Sequence, residues 1–234
     1  MSQRVLVDRR AALVYVALAV AGCHGAPGAL VPEGAAPVDR EQVSRWVAST
    51  IPADHRLHRF KWLFQDERSS AGGRGSARIA PPDSLRFDVA GPFGTGASSA
   101  VVVGTSPVWV EPPDAIKKLV PNYPLMWAMF GVARMPEDDA KLRGLDRDGV
   151  TAWQYAGPSD TIDYMRTTGA SGRFVAEVHH AGQVVGRAET TLDSAGKPVK
   201  ARLVVPSVPA KLDLTFLSTA RADFASDIWA PRKP

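Results

Sequence analysis

One cysteine, Cys23, stands in 234 residues. A single thiol closes no intramolecular disulfide and gives a metal at most one sulfur, so a disulfide-stapled domain and a cysteine-rich zinc site are excluded. Long apolar runs are equally scarce. Residues 11–20 (AALVYVALAV) reach roughly half the ~20 residues that a membrane-spanning helix needs. Charge of one sign is not concentrated: 28 Lys+Arg stand against 24 Asp+Glu, a net charge of +4. The basic residues are scattered and lack interleaved aromatics, so no nucleic-acid partner is expected. Catalytic signatures are missing too. Gly94-Thr95-Gly96 is not followed by Lys-Ser/Thr or a helix, and no G-x-S-x-G elbow occurs. Asp146-Arg147-Asp148-Gly149 lacks the Glu that closes a calcium loop and reads as a hairpin turn. His55 and His58, like His179 and His180, fall at strand ends with their rings on opposite faces, which predicts solvated edges and no shared metal. The expectation is a protein that is not an enzyme, with no metal and no cofactor.

Hydrophobic residues make up 45% and charged residues 22%, ordinary for a globular chain, and 20 glycines with 19 prolines announce many turns. Arg4, Arg9 and Arg10 followed by residues 11–20 form the charged start and short apolar core of a secretory signal. Val20-Ala21-Gly22-Cys23 resembles the bacterial lipobox. That resemblance implies cleavage before Cys23, a diacylglyceryl thioether on its sulfur and an acylated amine. Two or more acyl chains anchor stably where one is marginal. His24 follows the cysteine where an inner-membrane lipoprotein of proteobacteria would carry Asp, so outer-membrane anchoring with the domain facing the periplasm is expected. The reading divides the chain into a signal peptide (1–22), a lipid-anchored flexible tether (23–38, rich in Ala, Gly and Pro) and one domain (39–234). Half of the +4 net charge belongs to residues 1–22, which carry three Arg and one Asp, so charge identifies no partner.

In the domain, Asp39 and Gln42 form a capping-box pattern, and Val43, Trp46, Val47 and Ile51 share one helical face that Pro52 ends. The period then changes to two. Phe60, Trp62 and Phe64 alternate with Lys61, Leu63 and Gln65, and Leu85, Phe87 and Val89 with Arg86 and Asp88. Residues 74–80, 100–103 and 108–110 are further short strands, with residues 69–73 among the turns between them. Asp114 caps a short helix through Val120, and Asn122 caps a second, Tyr123 to Phe130, apolar all round and therefore buried. Residues 136–143 read as a charged helical turn. Strands resume near 150–156, 161–167, 173–180, 184–192, 199–205 and 211–218, with turns at 180–183 and 193–196. About 11 strands, a leading helix and a helical insert result, making a mainly β (α+β) domain.

Arg86 to Gly94 resembles a segment of the outer-membrane lipoprotein receptor LolB, where a strand ends in an Asn-Pro-Leu-Gly turn. Here the turn is Gly91-Pro92-Phe93-Gly94, with Gly for Asn and Phe for Leu. The insert is similar as well: residues 114–120, Tyr123-Pro124-Leu125, a Trp-containing apolar helix ending at Gly131, an acidic loop and a strand from Val150. The likeness covers most of 39–218 in element order and extends to the LolA carriers and mycobacterial lipid-binding lipoproteins. It implies a half-open antiparallel β-barrel with an N-terminal helix and a helical insert capping the concave face. It also implies binding of lipid or lipoprotein acyl chains in an apolar cavity and their delivery to the outer membrane, with a periplasmic LolA-like carrier as a partner. Pro92 and Phe93 then form a membrane-insertion loop. The tail after Arg221, with Phe224 and Trp229, departs from the family pattern and is expected to close one barrel end.

Alternation and this resemblance together assign Phe87, Val89, Trp109, Met126, Trp127, Met129, Phe130, Leu203 and Phe216 to the cavity of a monomer. A one-residue slip in strand parity would exchange the faces. The alternative is a lipid-anchored interaction scaffold with a filled core, whose sheet docks an envelope partner.

Overall fold

The structure is a computed structural model and describes residues 29–94, 96–113, 120, 122–135 and 138–231. Cys23, the helix expected over 114–120 apart from Val120, and the side chain of Phe93 lie outside the described residues. Thirteen strands are described: β1 (Ala36–Pro37), β2 (Arg56–Gln65), β3 (Ser70–Ala80), β4 (Ser84–Ala90), β5 (Ser98–Val103), β6 (Ser106–Glu111), β7 (Lys141–Arg147), β8 (Val150–Ala156), β9 (Asp160–Thr167), β10 (Gly172–His180), β11 (Gln183–Leu192), β12 (Pro198–Val205) and β13 (Ala210–Arg221). Helix α1 (Arg40–Thr50) precedes β2, and α2 (Tyr123–Ala128) separates β6 from β7.

All thirteen strands join one antiparallel sheet in the order β1-β7-β8-β9-β10-β11-β12-β13-β2-β3-β4-β5-β6. The sheet is open, with β1–β7 at one edge and β6 at the other, and its helices lie on the concave side. This is the half-open barrel architecture expected from the sequence. The two strand groups meet at β13–β2, where Phe216 opposes Phe60, Leu214 opposes Trp62 and Leu212 opposes Phe64. Those pairs put two aromatic-rich apolar faces on one surface, and cross-strand contacts of this kind stabilise a sheet.

Helix α1 buries Val43 and Val47. Its Trp46 stacks on Phe174 (6.2 Å between centroids) and meets Trp153 and Tyr164 edge-on or tilted. Asp39 is the N-cap, although its carboxylate makes no capping hydrogen bond, so the helix depends on its packed face more than on a capping box.

Three local expectations are corrected. β7 replaces the end of the helical turn read over 136–143. It pairs Leu142 with Tyr155 and Gly144 with Trp153, and a Cβ on Gly144 would lie 2.2 Å from the Trp153 ring. The glycine weakens the strand signal locally, yet only glycine admits that ring. β3 begins at Ser70, inside the segment read as a turn. The turn comes earlier, where Asp66 Oδ1 accepts hydrogen bonds from the backbone N–H groups of Arg68 and Ser69. Finally, the segment read as a tether enters the fold: Leu30 and Val31 are buried, and Ala36–Pro37 pair with β7. With β1 and β7 the strand total rises from about 11 to 13.

Candidate functional site

The concave side is organised by α2 and the residues after it. Every residue from Pro124 to Ala128 is buried, as an all-apolar helix requires. Gly131 (φ +75°) ends the segment in a conformation that favours glycine. Two side-chain hydrogen bonds tie the helix across the opening of the sheet. Trp127 Nε1 donates to the Gly104 carbonyl in the β5–β6 turn (2.7 Å), and Thr190 Oγ1 on β11 donates to the Ala128 carbonyl (2.8 Å). Gly186 on β11 allows the close approach, since a Cβ there would meet Leu125 Cδ1 at 2.7 Å. The Arg134 guanidinium covers the Trp127 ring at 4.8 Å.

Around α2 the structure gathers most of the residues assigned to the cavity. Phe130 contacts Phe60, Phe87, Phe216 and His58 with ring centroids 5.4–6.3 Å apart. Phe87, Val89, Met126, Trp127, Met129, Phe130 and Leu203 belong to one core and are at most 4% exposed, while Phe216 packs at its margin. Side chains lining a chain-wide void would keep accessible surface, and these keep almost none. They form a filled core in this state.

Trp109 is a correction. It pairs with Val101, which pairs with Arg86, so all three face the convex side, away from Phe87 and Ala100. There Trp109 Nε1 donates to the Trp229 carbonyl (2.8 Å), and Arg86 lies 5.2 Å from the Trp109 ring. Arg86 also pairs with Asp88 (2.9 Å) and donates to the Ile228 and Ala230 carbonyls. The C-terminal tail thus lies along the convex face of β4–β6 and is held there by a buried arginine. It does not close a barrel end. A parity slip of one residue on β6 accounts for the difference.

Pro92 is exposed at the tip between β4 and β5, in a short 3₁₀ turn from Pro92 to Gly94.

Two histidine sites depart from the solvated edges expected. His58 is 3% exposed and its Nδ1 lies 2.9 Å from Thr219 Oγ1. Burial, aided by Arg56, lowers its pKa to about 4, so the ring is neutral. His179 Nε2 lies 3.1 Å from Glu177 and 3.8 Å from Asp163 on the convex face of β9–β10. Desolvation raises the Asp163 pKa. Candidate ligand atoms of Asp163, Glu177 and His179 fall within 4.8 Å of one another. Arg187 pairs with Glu177 (3.1 Å) and Gln154 donates to Asp163 (2.8 Å), so the cluster is already knitted by its own partners. The i, i+2 spacing puts Glu177 and His179 on one face of β10, and register brings Asp163 opposite Glu177, which no spacing in the sequence signals.

Two clefts flank the α2 segment. One, of about 210 Å³, includes Thr50, His58, Phe130 and Thr219. The other, of about 320 Å³, lies between the entry to α2, the strap at Arg134–Met135 and the β8–β9 hairpin.

No family model and no curated protein matches the chain. Solved structures do. A LolA superfamily protein from Nitrosomonas europaea aligns with a TM-score of 0.49 at 10% identity, covering 83% of this chain and 98% of that one. A domain assigned to outer membrane lipoprotein sorting, from Vibrio parahaemolyticus, aligns at 0.39 and 8% identity, covering 81% and 95%. MucB aligns at 0.38 and 15% identity, covering 82% of this chain and 63% of MucB, and has been solved in complex with MucA.

Proposed function

We propose that this protein is a lipid-anchored outer-membrane lipoprotein, facing the periplasm, that holds an acyl chain of a lipid or lipoprotein on the concave side of its sheet and passes it on without chemical conversion. One observation carries the reading: a six-residue helix, apolar on every side, fills the opening of an uncurled-edge sheet and is tied across it by the two bonds at Trp127 and Thr190. An acyl chain entering there exchanges one apolar occupant for another, each CH₂ worth ~0.8 kcal/mol on leaving water. Displacing α2 also breaks those two bonds, and its apolar side chains must find cover against the membrane or the cargo. Cys23 supplies the anchor in this proposal, the Pro92–Phe93 turn contacts the membrane, and a LolA-like carrier hands over the cargo.

Mass spectrometry of an organic extract of the purified full chain tests it. Co-purified acyl lipid is the expected result. An empty extract, together with no uptake of a fluorescent fatty acid, favours the second reading of a scaffold with a permanently filled core. The near-zero exposure of the seven core residues is the observation on that side.

A further inference from the structure

Asp163, Glu177 and His179 meet on the convex face of β9–β10, away from the filled core. Glu177 and His179 alternate on β10 with the core residues Ala176 and Val178, and Asp163 stands opposite Glu177. Both acids are buried. Buried carboxylates side by side repel each other, and such groups are kept where a cation or hydrogen bonds compensate them. One cation, Arg187, is in place, its Nη1 3.1 Å from Glu177 Oε2. Asp163 receives only a neutral donor, Gln154 Nε2, at 2.8 Å on Oδ1. These partners occupy one oxygen of each acid and leave the other. Glu177 Oε1 lies 3.1 Å and Asp163 Oδ2 3.8 Å from His179 Nε2, and the three atoms fall within 4.8 Å of one another. The side chains of Asp163, Glu177 and His179 keep 5%, 8% and 22% of their surface exposed, so solvent reaches the cluster.

From this convergence we infer that Asp163, Glu177 and His179 bind a divalent transition-metal ion of the zinc class, with water completing the coordination. One imidazole nitrogen and two carboxylate oxygens are a zinc donor set, whereas calcium and magnesium call for about six or more oxygen ligands. Ligand atoms of a tetrahedral zinc stand about 3.4 Å apart, so small side-chain adjustments bring all three within bonding distance. The outer partners are arranged as metal-ligating carboxylates require. Arg143 Nε donates to Gln154 Oε1 (2.6 Å), which turns the Gln154 amide nitrogen to Asp163. Arg187 fixes Glu177 in the same way and leaves Oε1 toward His179. Both arginines oppose a cation by charge, so the affinity is moderate and falls short of a structural zinc centre. The bound ion clips β9 to β10. The site shares no residue with the concave core and does not depend on acyl-chain binding there.

The test is calorimetric titration of the untagged full chain with zinc chloride, alongside calcium and magnesium chloride. Saturable one-to-one binding of zinc is expected, with a raised melting temperature, because an ion that binds only the folded state stabilises it. Gln154→Leu is expected to weaken binding by about 10–100-fold, the usual effect of losing an outer partner, and His179→Gln by more than that. His180→Gln, next in sequence but paired with Asp160, is expected to bind as the wild type does. Asp163→Asn keeps the shape and is expected to abolish the zinc-induced rise in melting temperature. His179 is the most exposed of the three, so His179→Gln decides the matter even where the buried acid proves necessary for folding. Three results overturn the inference: no saturable zinc binding, an unchanged affinity in His179→Gln, or calcium bound as tightly as zinc, which would make the cluster an unselective acidic surface.

Discussion

His58 and Trp127 show how much rests on single side chains. His58 lies between Phe130 and Phe216 with its ring neutral, its pKa lowered to about 4 by burial and by Arg56. The unfolded chain protonates near 6.5. Between pH 6.5 and 4 the unfolded state therefore takes up a proton that the folded state refuses. Stability is complete above pH 6.5 and declines as pH falls toward 4, by about 3 kcal/mol at most. Asp163, whose pKa burial raises, acts in the opposite sense. Urea melts of His58→Phe across this range should show that decline largely removed. Parallel pH profiles for variant and wild type would count against a neutral buried ring. Trp127 is fully packed, and its indole N–H holds the Gly104 carbonyl. Trp127→Ala is expected to lose about 3–5 kcal/mol in a chemical melt, the range for a large side chain deleted from a filled core. A loss below about 2 kcal/mol would mean that the ring borders open space.

At the scale of elements, α2 is the part least secured by its own backbone. Six residues make few internal hydrogen bonds, and isolated helices of that length do not persist. Its stability is borrowed from burial against β10 and β11 and from the bonds at Trp127 and Thr190. Thr190→Val keeps the shape and removes the donor to the Ala128 carbonyl. About 1 kcal/mol of local stability should go. Hydrogen exchange should accelerate at the amides of Met126 and Met129 to Val132 while the sheet amides stay unchanged. A uniform acceleration over the whole chain would show that α2 opens only with global unfolding. β7 teaches the converse lesson. Its sequence is charged and contains a glycine, yet pairing with β8 and the need to seat Trp153 impose a strand on it. Tertiary context overrides so weak a local signal.

For the whole molecule, the curled sheet depends on one long-range junction, β13 with β2, which turns two meanders into a single concave surface. The tail then covers the opposite face. Arg86 is buried there with Asp88 and two tail carbonyls, so that face is tied down by charge-assisted bonds. Placement in the envelope is a separate matter and, under the proposed function, rests on Cys23. Cys23→Ser is expected to abolish acylation and leave an unprocessed or soluble precursor on fractionation. Recovery of that variant in the membrane with its signal removed would dismiss the lipobox.

By itself the sequence determined the class of fold. Period-two alternation at Phe60–Phe64, Leu85–Val89 and Leu212–Phe216 marked the strands and their buried faces, because one face of each must leave water. The turns at 180–183 and 193–196 were legible because positive φ at Ala181, Gly182 and Gly196 and the Asp193 side-chain bonds are local properties. The all-apolar insert announced a buried helix for the same reason. Only the tertiary structure decided which face Trp109 occupies, that the tail lies outside, and that the expected cavity residues close into a core around Phe130. It alone brought Asp163 on β9 beside Glu177 and His179 on β10. Register and long-range packing place such groups, and neither leaves a period in the chain, since the residues that meet are separated by stretches whose length does not encode the contact.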